Sequence, residues 1–308
     1  MKIILLSDIH ATLGNSIGRK DQVGVTLFRK LEHVWARARQ LGATIIQAGD
    51  FVDQPRDWRL LFLLAKFLKE NPVPVYMVRG QHDMYMHSPD ASATIPVLAE
   101  MGLVTLLDGT LELLGDGDQS ILVTGVPFGK ELGANPVRIK RITRILAIHA
   151  PIAEEALFAG HAYNPAMAFA QKYSGFDIII CGDIHRAFEM EAGETTLINT
   201  GPMLRLDAAQ YSFEHRPAFY IYDTQTKELT HEQIPHQPAG EVLTREHLEA
   251  VMQTTELMAE FVTAVRKTLG QETPGVDVHA NLKRALKVVQ MPETTRNLIL
   301  EVVNATGN

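Results

Sequence analysis

The chain has 308 residues, 46% of them hydrophobic, which is enough to bury the core of one large domain with an appendage. Its formal net charge of −7 argues against a nucleic-acid binder that works by overall positive charge, but not against an enzyme that reaches phosphates through bound cations. The single cysteine, Cys181, excludes an intramolecular disulfide. With no signal-peptide pattern and no apolar stretch near ~18 residues, the sequence predicts a cytoplasmic protein that avoids membranes.

The first third of the sequence alternates between short apolar runs and amphipathic segments. Three apolar runs predict buried strands: 2–7, 43–48 and 73–78. The segments 25–41 and 57–70 carry apolar residues at helical spacing and predict the intervening helices, the second with Asp57 as its N-cap. This alternation implies right-handed parallel crossovers, so the sequence predicts an α/β fold.

The rest of the sequence is richer in predicted strands. They are expected at 104–107, 111–114, 121–126, 144–148, 177–181, 188–192, 195–199, 218–222 and 228–234. Short helices are expected at 95–101, 152–158 and 165–173. The stretch 235–240 has the composition of a linker, and the pattern beyond it is helical. We therefore predict one domain over 1–235 and a helical C-terminal segment over 241–308.

Polar side chains follow five of the predicted strands, at the point where each strand ends. They are Asp8 and His10; Asp50 and Asp53; Gln81, His82 and Asp83; His149; and Asp183 and His185. Turn formation is the alternative explanation, because aspartate and glycine collect in turns after strands. It does not explain the recurrence of histidine, which is not a turn-forming residue. Since strand ends of one sheet meet at the same edge, the pattern predicts a metal site.

The order of these motifs resembles that of the calcineurin-like metallophosphoesterase superfamily. The resemblance covers about residues 1–235 and rests on Asp-x-His, Gly-Asp-x-x-Asp, Gly-x-His-Asp, an isolated strand-end histidine and Gly-x-x-His. The intervening lengths, Gly80-Gln81-His82-Asp83-Met84 and the helical tail are most similar to the Mre11/SbcD branch of DNA-repair nucleases. The resemblance implies a four-layer α/β/β/α metallophosphoesterase sandwich with a C-terminal helical appendage, and two divalent metal ions at one edge.

Carried over residue by residue, the resemblance implies a role for each motif position. The metal ligands would be Asp8, His10 and His185 for the first ion, Asp50 for both ions, and Gln81, His149 and Asp183 for the second. His82 would be the non-ligand histidine that protonates the leaving group, with its tautomer fixed by Asp83. The alternative role for Asp83 is a helix N-cap. Asp53 either supports a ligand or only closes its own turn, and the sequence leaves both open.

Two positions depart from the usual motifs of the superfamily. Gln81 stands where asparagine is usual, and Asp183 stands where histidine is usual. Asp183 replaces a nitrogen donor by a hard, negatively charged oxygen, so we expect the site to prefer Mn²⁺ or Mg²⁺ to Zn²⁺. The alternative is that the second ion binds weakly or not at all.

The resemblance implies a metal-dependent phosphodiesterase that hydrolyses DNA as an exonuclease or endonuclease, through a hydroxide activated by two metals. A small-molecule phosphoesterase, such as a cyclic-nucleotide phosphodiesterase or a phosphatase, is the main alternative, and the acidic balance favours it. A non-catalytic scaffold is a third, which the intact His82 opposes. The apolar stripe of the tail either packs on its own domain, docks on an SMC-like ATPase of the Rad50/SbcC type, or forms a homodimer.

Overall fold

The structure is a computed structural model that describes residues 1–86, 92–109, 111–115, 120–139 and 142–246, together with Glu293, Arg296 and Asn297. Contacts within the chain separate two compact units, Met1–Leu243 and Thr244–Asn308. The predicted helical C-terminal segment lies almost entirely outside the described residues. Among the residues that are described, no helix is both long and apolar enough to cross a membrane.

Unit 1 contains fourteen strands, six α-helices and one 3₁₀ helix (Gln81–Asp83) among its described residues. The strands are β1 (Lys2–Leu6), β2 (Thr44–Gln47), β3 (Val75–Met77), β4 (Thr105–Leu106), β5 (Leu111–Leu114), β6 (Ile121–Val126), β7 (Thr143–His149), β8 (Ile152–Ala153), β9 (Asn164–Pro165), β10 (Ile178–Gly182), β11 (Phe188–Ala192), β12 (Thr195–Asn199), β13 (Ala218–Asp223) and β14 (Leu229–Gln233). The helices are α1 (Val23–Leu41), α2 (Trp58–Glu70), α3 (Thr94–Glu100), α4 (Ala166–Lys172), α5 (Gln210–Glu214) and α6 (Ala239–Val242).

Two six-stranded sheets organise the unit. The first has the order β14-β13-β1-β2-β3-β4, and the second has the order β11-β12-β10-β7-β6-β5. Strands β1 to β4 are parallel neighbours, as are β12, β10, β7 and β6, whereas β13, β14, β5 and β11 run antiparallel to their partners. The parallel strands of each sheet therefore end at a common edge, which is where polar motifs can meet.

Alternation along β1 shows how the layers are packed. Ile4 and Leu6 lie in the core beneath α1 and α2, while Ile3 and Leu5 lie in the core between the two sheets. Successive side chains of a strand point to opposite faces, so a strand that is apolar throughout is covered on both faces. A third core joins α4 to the outer face of the second sheet. The layers are helix, sheet, sheet and helix, which confirms the predicted fold class.

Three local predictions differ from the structure. The segment 152–158 forms strand β8 followed by bends, because Ile152 pairs with Asn164 of β9 instead of continuing a helix. Helix α5 was not predicted, since its five residues are too few to show a helical period. The stretch 235–240 is not a free linker: the carbonyl of Gln237 accepts a hydrogen bond from Arg205 at 2.7 Å, and the compact unit continues to Leu243.

Candidate metal centre

The strand-end motifs converge at the carboxyl edges of the two sheets. Asp8 and His10 follow β1, Asp50 follows β2, Gln81 and His82 follow β3, His149 ends β7, and Asp183 and His185 follow β10. Ligand atoms of six of these residues fall into three groups, each with all its atoms within 4.8 Å of one another. The groups are Asp8, His10 and His185; His10, Asp50 and His82; and Asp8, Asp50 and His149. Shared members join the groups into one cluster.

Left-handed backbone conformation marks the same positions. Asp8 (φ 49°), His10 (φ 46°), Asp50 (φ 53°) and Asp183 (φ 99°) all have positive φ, which costs a residue with a side chain about 1–3 kcal/mol. The tight turns are held by backbone hydrogen bonds between the loops after β1 and β2, from Asp8 to Gly49 at 3.0 Å and from His10 to Asp50 at 2.9 Å. Strain of this kind collects where a fold must aim side chains at a ligand.

His149 is prepared as a nitrogen ligand. Its Nδ1–H donates to the carbonyl of Ala48 at 2.7 Å, which fixes the tautomer and leaves Nε2 as the electron-pair donor. Nε2 is fully buried, has no hydrogen-bond partner, and lies 3.4 Å from Asp50 Oδ2. A Cβ at Gly49 would come within 2.2 Å of His149 Nδ1, so this close approach requires glycine.

The first predicted ligand set lies around two imidazoles that are nearly perpendicular to each other. The Nε2 atoms of His10 and His185 are 3.1 Å apart, and Asp8 Oδ1 lies 3.9 Å from the first and 3.8 Å from the second. Asp8 Oδ1 also accepts a hydrogen bond from the backbone amide of Asp183 at 3.1 Å, whereas Asp8 Oδ2 is buried without a partner. Two nitrogens at this separation can both reach a single ion at the usual bond length of about 2.0–2.1 Å.

Asp50 lies between the two predicted ligand sets. Its Oδ1 accepts a hydrogen bond from the backbone amide of His82 at 2.8 Å. Its Oδ2 has no hydrogen-bond partner and lies 3.4 Å from His149 Nε2 and 3.6 Å from His10 Nε2. A Cβ at Gly80 would come within 2.0 Å of Asp50 Oδ1, so the turn after β3 can approach this carboxylate only through glycine. The position suits a carboxylate shared by two ions.

Gln81 and Asp183, the two departures from the usual motifs, contact each other. Gln81 donates through Nε2 to Asp183 Oδ1 at 2.7 Å, so its carbonyl oxygen Oε1 is left buried without a partner. Asp183 belongs to none of the three donor groups found among the described residues. That both residues bind the second ion stays a prediction.

Burial and mutual charge set the protonation of the cluster. Burial raises the pKa of Asp8 to about 6 and lowers the pKa of His185. Burial would also raise the pKa of Asp50, but the neighbouring His149 and His10 lower it to about 2. Burial would lower the pKa of His149, but the Asp50 carboxylate raises it to about 10. Carboxylates and imidazoles thus compete for protons in one buried volume that cations would otherwise fill.

His82 stands at the exposed side of the cluster, and its predicted partner was wrong. Its side chain is 39% exposed, its ring centroid lies 4.8 Å from that of His10, and its Nδ1–H donates to the backbone carbonyl of Asp53 at 2.9 Å. Asp83 does not hold the ring, because its buried carboxylate accepts from the backbone amides of Val52 at 3.0 Å and Gly80 at 2.9 Å. Those two amides would otherwise be unsatisfied, so Asp83 caps the turn.

Two further residues support the cluster. Asp53 Oδ1 lies 3.6 Å from His10 Nδ1, and the nearby His10 ring lowers the pKa of Asp53, which favours the ligand-supporting role that the sequence left open. Asn199 was missed as a supporting residue. Its buried amide donates to the carbonyl of Ile184 at 2.7 Å and so fixes the turn between Asp183 and His185. An asparagine that ends an apolar strand was the only signal in the sequence.

Unpaired buried atoms show that the donor set fits divalent ions. Asp8 Oδ2, Asp50 Oδ2, Gln81 Oε1 and His149 Nε2 are all buried without a partner, although buried polar atoms in folded proteins are almost always paired. Carboxylate, amide and imidazole donors together suit divalent cations such as Mn²⁺, Mg²⁺ and Zn²⁺. The fold and the site therefore define a metal-dependent hydrolase of the α/β/β/α type.

Comparison with protein families places the chain more closely. The chain belongs to the calcineurin-like phosphoesterase family, whose sequence profile matches residues 1–187. This family uses a dinuclear divalent metal centre. No curated protein sequence matches the chain.

Several solved structures are remotely similar. The protein TT1561 of Thermus thermophilus has 12% identity over 76% of this chain and 99% of that one, with a TM-score of 0.47. An archaeal phosphodiesterase has 15% identity over 76% and 99% of the two chains, with a TM-score of 0.42. The hypothetical protein PH1004 of Pyrococcus horikoshii has 12% identity over 83% and 93%, with a TM-score of 0.41. Identities this low carry no substrate over to this chain.

Proposed function

We propose that the chain is a metal-dependent phosphodiesterase that hydrolyses DNA, as nucleases of the Mre11/SbcD type do. The observation that carries the proposal is the position of His82, partly exposed and 4.8 Å from the His10 ring, beside a buried set of unpaired metal-type donors. Hydrolysis of a phosphodiester needs cations that take up the negative charge and an acid that protonates the leaving alkoxide. The arrangement supplies a place for each.

The residues that would hold the ions are those of the two ligand sets. Asp8, His10 and His185 would bind one ion, Gln81, His149 and Asp183 the other, and Asp50 both. When bound, two such ions increase the acidity of a water and neutralise phosphate oxygens. The hard oxygen of Asp183 favours Mn²⁺ or Mg²⁺ over Zn²⁺.

His82 has the geometry of a proton donor. Its Nδ1–H is held by the Asp53 carbonyl, so Nε2 is the ring nitrogen left for substrate, and the doubly protonated ring would give its Nε2 proton to the leaving oxygen and become neutral. Its backbone amide donates to Asp50 Oδ1 at 2.8 Å, so the ring is anchored to the carboxylate at the centre of the cluster. Proton donor and metal ligands are thus held by one hydrogen-bonded unit.

DNA is favoured as substrate by the motif Gly80-Gln81-His82-Asp83-Met84 and the spacing of the motifs around it, which resemble those of the nuclease branch. One observation favours a second candidate, a small-molecule phosphoesterase: the net charge of −7 provides no general attraction for a polyanion. A cyclic nucleotide or a phosphate monoester would meet less repulsion than a DNA strand does.

A substrate panel tests the proposal. The full chain is stripped of metal, reloaded with Mn²⁺, Mg²⁺ or Zn²⁺, and assayed on single- and double-stranded DNA, 2′,3′-cyclic AMP and p-nitrophenyl phosphate esters. We expect hydrolysis of DNA, highest with Mn²⁺. His82→Ala should lower kcat about 10²- to 10⁴-fold, as loss of a general acid does, while metal content is unchanged.

The control for this variant is His231→Ala, which removes a histidine on strand β14 that contacts Tyr220 and not the cluster. It should retain wild-type activity. If the protein hydrolyses the small esters but leaves DNA uncut, the second candidate would replace the proposal. A fully metal-loaded protein that hydrolyses nothing in the panel would favour the scaffold.

A further inference from the structure

A cavity of about 400 Å³ opens directly beside His82, away from the buried donor atoms of the metal centre. Its walls include His82 and Gln81, which belong to the metal-centre motifs, together with Arg56, Met84 and Tyr85. The volume falls in the range of about 300–1,000 Å³ that small-molecule sites occupy. A group attached to a phosphate at the metal centre, on the side that His82 protonates, would enter this cavity.

The wall of the cavity includes a guanidinium group that lies over an aromatic ring. The guanidinium carbon of Arg56 lies 3.9 Å from the centroid of the Tyr85 ring, and Arg56 also donates to Ser92 Oγ at 3.0 Å, which holds its plane. Tyr85 is 41% exposed and its neighbour Met86 is 82% exposed, the latter with a φ of 51°. Large apolar side chains are thus presented to solvent next to a proposed proton donor.

We propose that this cavity is a nucleobase subsite, in which the base on the leaving-group side of the scissile phosphate stacks on the Tyr85–Arg56 pair. The inference rests on the proposed function, because His82 defines the leaving-group side. Aromatic rings and guanidinium planes are the two surfaces that proteins use to stack bases without reading sequence. The substrate class is therefore a phosphodiester that carries a base next to the cleaved bond.

The chemistry of the wall explains how an acidic chain can select such a substrate. With a net charge of −7, general attraction for phosphates is weak, so affinity must come from contacts near the metal centre. Stacking needs no net charge and is insensitive to salt. Arg56 adds a positive charge to the wall of the cavity, which suits a strand that carries further phosphates.

The test compares base-bearing and base-free strands. A fluorescein-labelled single-stranded oligodeoxynucleotide and the same strand with abasic tetrahydrofuran residues are titrated with the full chain, by anisotropy, in EDTA and in Ca²⁺. We expect the wild type to bind the base-bearing strand more tightly. Tyr85→Ala should weaken that binding about 5- to 100-fold and leave the abasic strand unchanged.

Two conservative variants guard against loss of folding. Tyr85→Phe retains the ring and should retain the preference for bases, whereas Arg56→Lys retains the charge but loses the plane and should reduce the preference several-fold. Circular dichroism and thermal melting establish that each variant is folded. Equal binding of the two strands by the wild type, or an equal loss on both strands in Tyr85→Ala, would overturn the subsite.

Turnover separates the possible sources of the base and the two proposals. If Tyr85→Ala raises KM for 2′,3′-cyclic AMP but not for DNA, the subsite holds the base of a mononucleotide; the reverse result assigns it to a strand. A base preference that Tyr85→Ala abolishes, in a wild type that hydrolyses no DNA with any metal, would retain the subsite and reject the nuclease. DNA hydrolysis without any base preference in binding would retain the nuclease and reject the subsite.

Discussion

Unit 1 contains two clusters of buried polar residues. They differ in whether their buried polar atoms have hydrogen-bond partners in the protein. In the metal centre, four buried ligand atoms have no partner: Asp8 Oδ2, Asp50 Oδ2, Gln81 Oε1 and His149 Nε2. The second cluster, which we call the cationic cluster, consists of Arg19, Lys30 and Arg205. It has a local excess of positive charge, yet each of its side chains donates to protein acceptors.

Each bond of the cationic cluster ties one segment of chain to another. Lys30 donates to the carbonyl of Met203 at 2.6 Å, and Arg19 donates to the carbonyl of Arg205 at 2.6 Å as well as to Asp21. Arg205 in turn donates to the carbonyl of His215 at 3.0 Å. Burial lowers the pKa of Lys30 to about 7, and the nearby arginines add to the effect. The cluster fixes the segment after β12 against α1.

The difference separates a structural cluster from a ligand-binding one. A buried polar atom without a partner costs about 1–3 kcal/mol, so four of them in one cluster indicate a site that is completed by something other than protein. The backbone agrees, because Asp8, His10 and Asp50 have positive φ and no member of the cationic cluster does. The two clusters are also connected: the amide of Met203 donates to the carbonyl of Asp8 at 3.0 Å.

Among the variants that compare the two clusters, the largest effect is expected for Asp50→Asn. Loss of the shared negative charge should lower kcat about 10³-fold, which corresponds to the several kcal/mol that metal ions contribute to phosphoryl transfer. Steady-state kinetics and metal content by mass spectrometry are the measurements. Asp21→Asn, which removes a carboxylate that Arg19 of the cationic cluster contacts, is the matched control and should lower stability without lowering kcat. Full activity and full metal content in Asp50→Asn would contradict the conclusion that the metal centre is the ligand-binding cluster.

Added metal ions should stabilise the folded protein through the metal centre and not through the cationic cluster. At about 100 times the Kd, Mn²⁺ should raise the free energy of unfolding of metal-free protein by about 2.7 kcal/mol per site, because it binds only the folded state. Thermal and urea unfolding measure the increment. Lys30→Met should keep it in full, and Asp50→Asn should lose most of it. An equal increment in both variants would mean that the ion binds elsewhere.

Asp83→Asn should cost stability of about 1–3 kcal/mol. The carboxylate of Asp83 accepts from two backbone amides, and the amide group of asparagine can replace only one acceptor, so one buried N–H is left unpaired. Urea unfolding gives the value. Asp57→Asn is the matched control, because Asp57 caps α2 through a single bond to Leu60, for which asparagine serves equally well. Equal losses in the two variants would argue against the turn-capping role.

The smallest effect, taken per pH unit, is a pH dependence that comes from Lys30. Its pKa is about 7 in the folded state, below the ordinary value of 10.5, so the unfolded state binds more protons between these values. The penalty for burying the charge is complete below pH 7 and is relieved as pH rises. Between pH 7 and 9, the free energy of unfolding of the wild type should increase, relative to Lys30→Met, by about 1.4 kcal/mol per pH unit. A constant difference would exclude this titration.

The sequence alone determined the central strands and the edge at which the site lies. Apolar runs such as 2–7 and 43–48 are covered on both faces, so they could be recognised as central strands without knowing their neighbours. The recurrence of histidine after strands then located the cluster, because parallel strands of a sheet end at a common edge. Both inferences depend on local periodicity, which is written directly in the order of residues.

Only the tertiary structure decided which side chains meet. Gln81 bonds to Asp183 across a separation of 102 residues, and the ring of His82 bonds to the carbonyl of Asp53 although Asp83 is its neighbour in sequence. The facing of Tyr85 and Arg56 was equally invisible. Such pairs depend on how loops from different strands fold over one another. Some of the partners are backbone groups, which every residue has, so residue type does not reveal them. Residue type therefore fixed the chemistry of the edge, and packing fixed the partners.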